Sequence, residues 1–443
     1  MQIRPNRGKM TPQATAGIDI GWSRASSRAG EMSALCYYFG KQLVQADPSV
    51  PVGLMASTFS GTAIGPWMPA AAHATCSAGL PPAEATSTEE RVDPGLGYLG
   101  GNWASEGAEA DEMTPPPPTA CAPAGCGSVC GTSCLWNSQI VPLSSVPVAA
   151  FLWYQGESDS GTQCGFSDCE TYYSRCFPAM ISAWRAEWHT LHPAMASDTP
   201  FLFVQLSAWP NGDRGFIAQL REGQLSALGL NATGMAVAAD LSDPSGMWHP
   251  VHPPWKQEVA ARLHMEAKRL LHGNKSAALR RPKLLTVTVD EWNPGWKDFH
   301  FGYGSVGGIC GNLASACGRS PCFGVQLKFD MPLVLDGASE ARRWRGAPSG
   351  FELGDTTGTQ WQPMTLLDIR GDGNATVQLN ATFAPFAYAN GTVILPDAAP
   401  ALIRYAWHDY PTMQVFSEAG RPVAPFKVSF NASSWSTPMM GEL

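Results

Sequence analysis

Small and polar residues follow apolar runs of the chain at three places, and these are the positions where chemistry could occur. Ser57–Thr62 follows the first run, Gln155–Asp159 follows the second, and Asp240–Asp243 follows the last, with His252 further on. A histidine can act as a general base, and a nearby carboxylate can orient it. A loop of small residues around Gly61 lets backbone N–H groups approach a developing oxyanion. The set favours a hydrolase over a binding-only domain.

Each candidate also has a purely structural interpretation. His252 could satisfy a buried carbonyl group, and Glu157 could be a solvated charge at a strand end. Asp240 and Asp243 could be helix caps or turn formers, which is the commoner role of Asp in such loops. Gly61 could serve only a turn. Residue types alone therefore leave both interpretations open.

Several other functional classes are disfavoured by the sequence. It contains no G-x-S-x-G motif, which argues against a standard α/β-hydrolase, and no H-E-x-x-H, P-loop or dinucleotide-binding motif. The net charge is −8 and no basic block occurs, so nucleic acid and anionic membranes are poor candidate partners. No apolar run reaches the roughly 18 residues that a transmembrane helix needs, so no membrane span is predicted.

The elements that must position the candidate residues change character along the chain. Up to about residue 275, short apolar runs that predict buried strands alternate with amphipathic patterns that predict helices. The strands are predicted at 51–56, 148–154, 201–206 and 235–239, and the helices at 31–45, on one face of 173–188, at 216–227 and at 255–271. Alternating strands and helices imply parallel βαβ units in a three-layer α/β domain, with the site in the loops after the strands.

The second half of the chain has a different pattern. Short runs separated by turn residues continue to about residue 430 without a convincing long helix, which predicts a β-sandwich-like domain. The predicted organisation is an irregular N-terminal part at 1–24, an α/β domain at 25–275 with a Cys- and Pro-rich insertion at 80–135, a β-rich domain at 276–430, and a tail at 431–443.

Cysteine and asparagine usage indicates the secretory pathway. The twelve cysteines favour disulfides, and a zinc site in the cluster from Cys121 to Cys134 is disfavoured because it lacks both His and a C-x2-C knuckle. Six of the twelve asparagines lie in glycosylation sequons: Asn231, Asn274, Asn374, Asn380, Asn390 and Asn431. Met1 is not followed by a signal peptide, so we expect that the chain begins late and that the protein is extracellular or lysosomal. A cytosolic protein with accidental sequons is the alternative.

Several collinear segments between about residues 22 and 427 carry a resemblance to one enzyme family. Val148–Asp159, which ends WYQGESD, resembles the W-Y-Q-G-E-S-N/D block of sialate O-acetylesterases, which are SGNH-type carbohydrate esterases. Val251–Val259, VHPPWKQEV, resembles the I-H-P-x-x-K-Q-x-V segment that supplies the family's catalytic histidine. The other similar segments are Met32–Leu43, Val52–Trp67, Leu135–Leu143, Leu220–Gln224, Leu402–Trp407 and Pro425–Phe426.

The resemblance implies a three-layer SGNH-hydrolase-like domain that removes O-acetyl groups from sialic acids or other acetylated sugars, with neither a metal nor an organic cofactor. In that mechanism a serine attacks the acetyl carbonyl and His252 takes its proton. Asp243 or Asp240 would orient the histidine. The resemblance assigns oxyanion, substrate-contacting or supporting roles to Gly61, Gln155, Gly156, Glu157 and Asn137.

Two departures from the family pattern bear on activity. The family's nucleophile lies in a G-Q-S-N-M block upstream of the segment that resembles Met32–Leu43, and the sequence contains neither this block nor the family's N-terminal β region. Phe59 and Ser60 replace a Trp and a Gly of the family pattern. We therefore expect an N-terminally truncated chain that is inactive as it stands, with the signal and serine block encoded upstream. A non-catalytic sugar-binding protein is the competing interpretation, and Ser57 or Ser60 as a substitute nucleophile is the third.

Overall fold

The computed structural model divides the chain into two compact units, Met1–Asn274 and Lys275–Leu443. The residues that the structure describes are 2–3, 18–25, 29–83, 132–161, 163–209, 215–242, 252–271, 273, 280–291, 322–335, 350–355, 358, 361–370, 375–382, 387–389, 392–394, 402–411, 413, 415–430 and 436–438.

The first unit is built around a three-stranded parallel sheet. A short antiparallel pair, β1 (Gln2–Ile3) and β2 (Ile18–Ile20), comes first in the chain. The parallel strands then follow in the order β3 (Phe151–Trp153), β4 (Phe201–Gln205) and β5 (Thr233–Val237). The near-continuous apolar sequence of β4 is typical of a strand that is covered on both faces.

Five α-helices of the first unit are described with more than one turn. They are α1 (Ala34–Ala46), α2 (Ala70–Cys76), α3 (Cys169–Leu191), α4 (Phe216–Leu225) and α5 (Lys256–Leu271). The side chain of Asp168 accepts the Thr171 N–H at 2.9 Å and so caps the start of α3. No helix among the described residues is both long enough and apolar enough to cross a bilayer.

Shorter helical segments lie in the connections of the first unit. A π-helix, Trp136–Ile140, continues into a single α-turn, Val141–Leu143. The 3₁₀ turns are Ala29–Glu31, Gly65–Trp67, Glu157–Asp159 and Ser226–Gly229.

Alternate residues of β4 face two different helical layers. Phe203 meets Phe177 of α3 edge to face, with the ring centroids 5.1 Å apart. Leu202 and Val204 belong to a buried cluster with Val259 of α5, and with other residues of α1 and α5. Since successive side chains of a strand point to opposite faces, helices cover both faces of this sheet.

The second unit consists of antiparallel strands. The strands are β6 (Leu284–Glu291), β7 (Cys322–Phe329), β8 (Leu333–Leu335), β9 (Phe351–Gly354), β10 (Trp361–Pro363), β11 (Thr365–Arg370), β12 (Thr376–Thr382), β13 (Ala387–Ala389), β14 (Thr392–Ile394), β15 (Leu402–Tyr405), β16 (Val415–Ser417), β17 (Phe426–Ser429) and β18 (Ser436–Pro438). One sheet has the strand order β11-β12-β7-β6-β18, and a second has the order β10-β9-β15-β17. One apolar cluster contains residues of both sheets, among them Leu327 and Leu379 of the first and Leu353 and Ile403 of the second.

The sequence predicted most of these elements, but it missed the β1–β2 pair in the part expected to be irregular and β18 in the expected tail, and it predicted one strand that does not form. The mixed α/β architecture with a parallel sheet and the antiparallel strands after residue 275 are confirmed. The predicted strand at 51–56 is wrong, because residues 51–55 adopt no regular structure. Pro51 has no N–H to donate to a strand ladder, and Gly53 offers no side chain to a sheet core. Residues 84–131 of the predicted insertion lie outside the described residues.

Candidate active site

The loops at one edge of the parallel sheet contain most of the candidate residues. Because β3, β4 and β5 are parallel, their carboxyl ends lie at the same edge, which is where ligands bind in open α/β sheets. Gln155–Asp159 follows β3, Leu206–Trp209 follows β4, and Asp240 lies shortly after β5.

A hydrogen-bonded network joins the loop after β3 to the loop that contains Gly61. Asp159 is fully buried, and its Oδ2 accepts from Gln155 Nε2 at 2.6 Å and from the Ile64 N–H at 2.9 Å. Gln155 Nε2 also donates to the Thr62 carbonyl at 2.9 Å. These four residues are called the Gln155–Asp159 network below. Both hydrogens of the Gln155 amide thus have acceptors within the protein.

Helix α3 fixes the other end of the Gln155 side chain. The Tyr173 hydroxyl donates to Gln155 Oε1 at 3.1 Å, and Trp153 Nε1 donates to the Tyr173 oxygen at 3.3 Å. Tyr173 is fully buried, so these bonds are shielded from water. With acceptors beside Nε2 and a donor beside Oε1, only one orientation of the amide satisfies its neighbours.

Two glycines allow the backbone of the site to turn where another residue would be strained. Gly61 has φ +68° and Gly156 has φ +150°, both in regions that other residues rarely adopt. At Gly156 a Cβ atom would lie 2.9 Å from Leu220 Cδ2 and 3.1 Å from Leu206 Cδ1. The loop after β3 therefore depends on glycine both for its conformation and for its packing.

Polar side chains of α4 bind the backbone at the ends of β3 and β4. The Arg221 side chain is fully buried and donates to the Leu206 carbonyl at 2.8 Å and to the Ser207 carbonyl at 2.7 Å. Gln224 Oε1 accepts the Leu206 N–H at 3.1 Å, and its Nε2 donates to the Val204 carbonyl at 3.1 Å. These bonds satisfy backbone groups that leave the strand ladder.

A cluster of charged and phenolic groups surrounds Glu157. Burial raises the pKa of the Glu157 carboxyl, and the positive charges of Lys256 and Arg221 partly oppose that rise. Lys256 Nζ lies 4.8 Å from the centroid of the Tyr154 ring, and the Tyr154 hydroxyl hydrogen-bonds with Ser207 Oγ at 2.6 Å. The first residue of α5 therefore lies beside the loop that follows β3.

The pKa of Asp159 is also raised strongly. Burial raises the pKa of its carboxyl from 3.8 to about 7. The hydrogen bonds from Gln155 and Ile64 act in the opposite direction, and the negative charge of Glu157 raises the pKa further. Asp159 thus changes charge in the physiological range although it is the most buried acid of the loop.

The structure places Asp240 against an arginine. Arg262 Nη1 donates to Asp240 Oδ1 at 2.6 Å and Arg262 Nη2 donates to Oδ2 at 2.8 Å, so both carboxylate oxygens are engaged. Arg262 Nη1 also donates to the Val237 carbonyl at 2.7 Å. His252 is exposed and lies just ahead of α5. Asp243 lies outside the described residues.

The remaining candidates lie in the π-helix and the loop it contacts. Asn137 is buried within the π-helix, a form of helix that often occurs at functional sites. Ser57 Oγ donates to Gln139 Oε1 at 2.8 Å. An amide oxygen is not a base of useful strength, so this contact does not activate the Ser57 hydroxyl for attack.

Two of the predicted glycosylation sites are in the part of the chain that the structure describes. Asn231 is exposed in the turn before β5, and Asn380 lies on β12. The other four, Asn274, Asn374, Asn390 and Asn431, lie outside it.

Disulfides connect elements near the site. Cys76 at the end of α2 is bonded to Cys176 in α3, and Cys164 is bonded to Cys169 at the start of α3. Cys134, just before the π-helix, is also disulfide-bonded. The prediction of disulfides is therefore confirmed.

Sequence reasoning overlooked the supporting residues of the site, although one signal was present. Arg221 and Gln224 occupy positions on the same helical face as Ile217, Leu220 and Leu225, and that face is buried. Polar residues on an apolar face must find buried partners, so they point to a hydrogen-bonded structure beneath the helix. No comparable pattern marked Asp159 or Tyr173.

Comparisons with known proteins first define the class. No protein-family model matches the chain. A solved structure of a carbohydrate acetylesterase from Xanthomonas citri matches it with a TM-score of 0.59 and 25% identity, over 96% of this chain and 72% of that chain. The architecture therefore resembles that of a carbohydrate acetylesterase.

The sequence relatives are more specific. The rat sialate O-acetylesterase is 31% identical over 309 residues, which is 62% of this chain and 52% of the rat protein. The human sialate O-acetylesterase is 29% identical over 301 residues, which is 64% of this chain and 48% of the human protein. The chain is thus similar in sequence to the sialate O-acetylesterases, and it spans about half the length of the curated relatives it matches.

Proposed function

We propose that this chain forms the acetyl-binding part of a carbohydrate O-acetylesterase, in an SGNH-hydrolase-like domain followed by a β-sandwich-like domain. The observation that carries the proposal is the Gln155–Asp159 network, which fixes the Gly61 loop against the end of β3. In this arrangement the Gly61 loop presents backbone N–H groups to the acetyl oxygen. The similarity to carbohydrate acetylesterases supports an O-acetylated sugar, and sialic acid in particular, as the substrate.

The proposed reaction is acyl transfer to a serine. The serine oxygen forms a bond to the acetyl carbon, His252 takes the serine proton, and the sugar hydroxyl leaves with that proton. Water then releases acetate by the same route. We favour Asp243 over Asp240 for orienting His252, because both oxygens of Asp240 are engaged by Arg262.

Within this proposal, the supporting residues of the site have separate tasks. Gln155 positions the Gly61 loop, because its two amide hydrogens are already used by Asp159 and Thr62. Gly156 permits the turn after β3. Glu157 supports the loop beside Lys256, and Asn137 contacts the substrate from the π-helix.

The 443 residues supply the base but no recognised nucleophile. The sequence contains no G-Q-S-N-M block, and the partner of the Ser57 hydroxyl is Gln139 rather than a base. We therefore propose that these residues alone bind an acetylated sugar without turning it over. The second candidate function, a non-catalytic sugar-binding protein, is favoured by the same observation. The two differ in whether supplying the serine block produces hydrolysis.

The cellular location follows from the disulfides and the sequons together. Cys76–Cys176 and Cys164–Cys169 require an oxidising compartment, and the sequon at Asn231 is exposed. We propose that the protein passes through the secretory pathway and acts outside the cell or in the lysosome.

The proposal is tested by ligand binding and by hydrolysis with the purified chain. Saturation-transfer NMR should detect O-acetylated sialic acid, with transfer to the acetyl methyl group, and should detect the de-acetylated sugar weakly or not at all. Gly61→Val should remove the difference, because the Gly61 conformation at φ +68° is unfavourable for valine. Equal binding of both sugars by the wild-type chain would contradict an acetyl-binding site.

Hydrolysis of p-nitrophenyl acetate should show no dependence on His252. His252→Ala is compared with the matched variant His189→Ala, which changes an exposed histidine in the last turn of α3, at the opposite edge of the sheet. Turnover that falls in His252→Ala alone would show that a residue of this chain serves as nucleophile. Ser57→Ala and Ser60→Ala would then identify it.

A further inference from the structure

The buried carboxylate of Asp159 occupies the junction of two loops that are far apart in sequence. Ile64 is 95 residues from Asp159, and its N–H donates to both carboxylate oxygens, at 2.9 Å to Oδ2 and 3.2 Å to Oδ1. Gln155 Nε2 donates to Oδ2 at 2.6 Å. Both partners of the Asp159 carboxylate, Ile64 and Gln155, are donors, so the site is built for an acceptor-only group.

We propose that Asp159 is a positioning residue of this site, whose ionised carboxylate holds the Gln155 amide and the backbone of the Gly61–Ile64 loop in the arrangement that meets the acetyl group. The reference to the acetyl group rests on the proposed function. The positioning itself is a property of the described residues.

The physical reason is the count of donors and acceptors. An ionised carboxylate offers only acceptors, and it meets the Ile64 N–H and the Gln155 N–H with good geometry. A protonated carboxyl carries its own hydrogen, which in this pocket would face one of those donors. Protonation of Asp159 therefore removes at least one of the bonds that fix the loop.

The groups around Asp159 determine the pH at which its carboxyl becomes protonated. Glu157 lies in the same 3₁₀ turn and its negative charge disfavours ionisation of Asp159. The Tyr173 hydroxyl of α3 lies close enough to be affected by the charge of Asp159. Lys256 and Arg221 act on Glu157 from α5 and α4. Burial raises the pKa of Asp159 to about 7, so the carboxyl is mostly ionised at pH 8, and the positioning role is tested at that pH.

Local hydrogen exchange tests the proposal without any need for turnover. Exchange of peptides that cover residues 61–67 is measured by mass spectrometry at pH 8 in the wild-type chain and in Asp159→Ala, together with peptides from β4. Removal of the carboxylate should lower the protection of residues 61–67 by about tenfold or more relative to any change in the β4 peptides. Equal relative protection of residues 61–67 in the two chains would overturn the proposal.

Two variants separate positioning from general stability. Asp159→Asn keeps the shape and one acceptor oxygen, so its protection over residues 61–67 should lie between that of wild type and that of Asp159→Ala. Asp47→Ala, the control, removes an exposed carboxylate at the end of α1 and should leave residues 61–67 with wild-type protection. If Asp159→Ala keeps wild-type protection of residues 61–67, the proposal is wrong. If Asp159→Ala does not fold, the comparison of Asp159→Asn with wild type decides.

The same experiment distinguishes this inference from the proposed function. If the wild-type chain does not bind the acetylated sugar but Asp159→Ala loses protection of residues 61–67, the proposed function is contradicted and the positioning role stands. If the wild-type chain binds the acetylated sugar selectively and Asp159→Ala loses no protection, the positioning role is contradicted and the proposed function stands.

Discussion

Burying an ionised carboxylate at Asp159 should cost folding stability, and Asp159→Asn should reveal that cost. The pKa of Asp159 is raised from 3.8 to about 7 by burial, so the folded state prefers the protonated acid. Stability contributed by this group is highest at pH values below the unfolded pKa. It declines as the pH rises from about 4 to about 7, because the folded chain binds more protons than the unfolded chain in this window.

The magnitude follows from the displacement of the pKa. A displacement of about three units at about 1.36 kcal/mol per unit corresponds to about 4 kcal/mol in total. About 2.5 kcal/mol of that falls between pH 5 and pH 8. Asp159→Asn does not titrate, so its free energy of unfolding should rise relative to wild type by about that amount across this interval.

Urea unfolding of both chains, followed by tryptophan fluorescence at pH 5, 6, 7 and 8, measures the difference directly. Taking the difference between variant and wild type removes the contribution of the other titrating groups. A difference that stays constant with pH would refute the reasoning. A constant difference is the result expected if the folded pKa of Asp159 lies at or below its unfolded value, because the carboxyl is then ionised in both states throughout this range.

Three further changes test the contacts around the site. Gly156→Ala should lower the free energy of unfolding by about 2–4 kcal/mol in urea titrations, since its φ of +150° and its close neighbours both exclude a Cβ atom, and an unchanged midpoint would contradict this. Asp240→Ala should lower the free energy of unfolding by about 3 kcal/mol in the same assay, because the buried Arg262 then lacks the carboxylate of Asp240. Adding Arg262→Met to that variant should recover much of the lost stability. Replacing Cys76 and Cys176 by alanine should cost about 2–5 kcal/mol in thermal or urea unfolding, and wild-type stability of that double variant would contradict a structural role for the disulfide.

The sequence predicted the helices and parallel strands well because their periodicities are strong. The apolar run at 201–206 and the helical pattern at 255–271 correspond closely to β4 and α5. The run at 51–56 failed because a short apolar segment can be buried without joining a sheet, and Pro51 and Gly53 disfavour strand pairing.

The sequence could indicate part of the candidate site but not its contacts. Polar loops after parallel strands indicate the sheet edge, and that rule selected Gln155 and Asp240, whereas Gly61 was selected because it follows an apolar run that does not form a strand. The sequence could not indicate that both amide hydrogens of Gln155 are donated to other residues of the protein. It also could not indicate that Asp159 links two loops that are 95 residues apart. Such contacts depend on tertiary geometry, since an Asp in a turn has many possible partners.

The central claim is that His252 serves as the base of an acetylesterase that needs a serine from another segment. The most direct measurement is hydrolysis of O-acetylated sialic acid by this chain fused behind the serine-bearing block of a sialate O-acetylesterase, with and without His252→Ala. The account predicts turnover in the fusion, no turnover in the 443 residues alone, and a loss of about 10³-fold or more in the variant, because the serine then lacks its base. A folded, sugar-binding fusion that hydrolyses nothing, or one that loses no activity in His252→Ala, would contradict it.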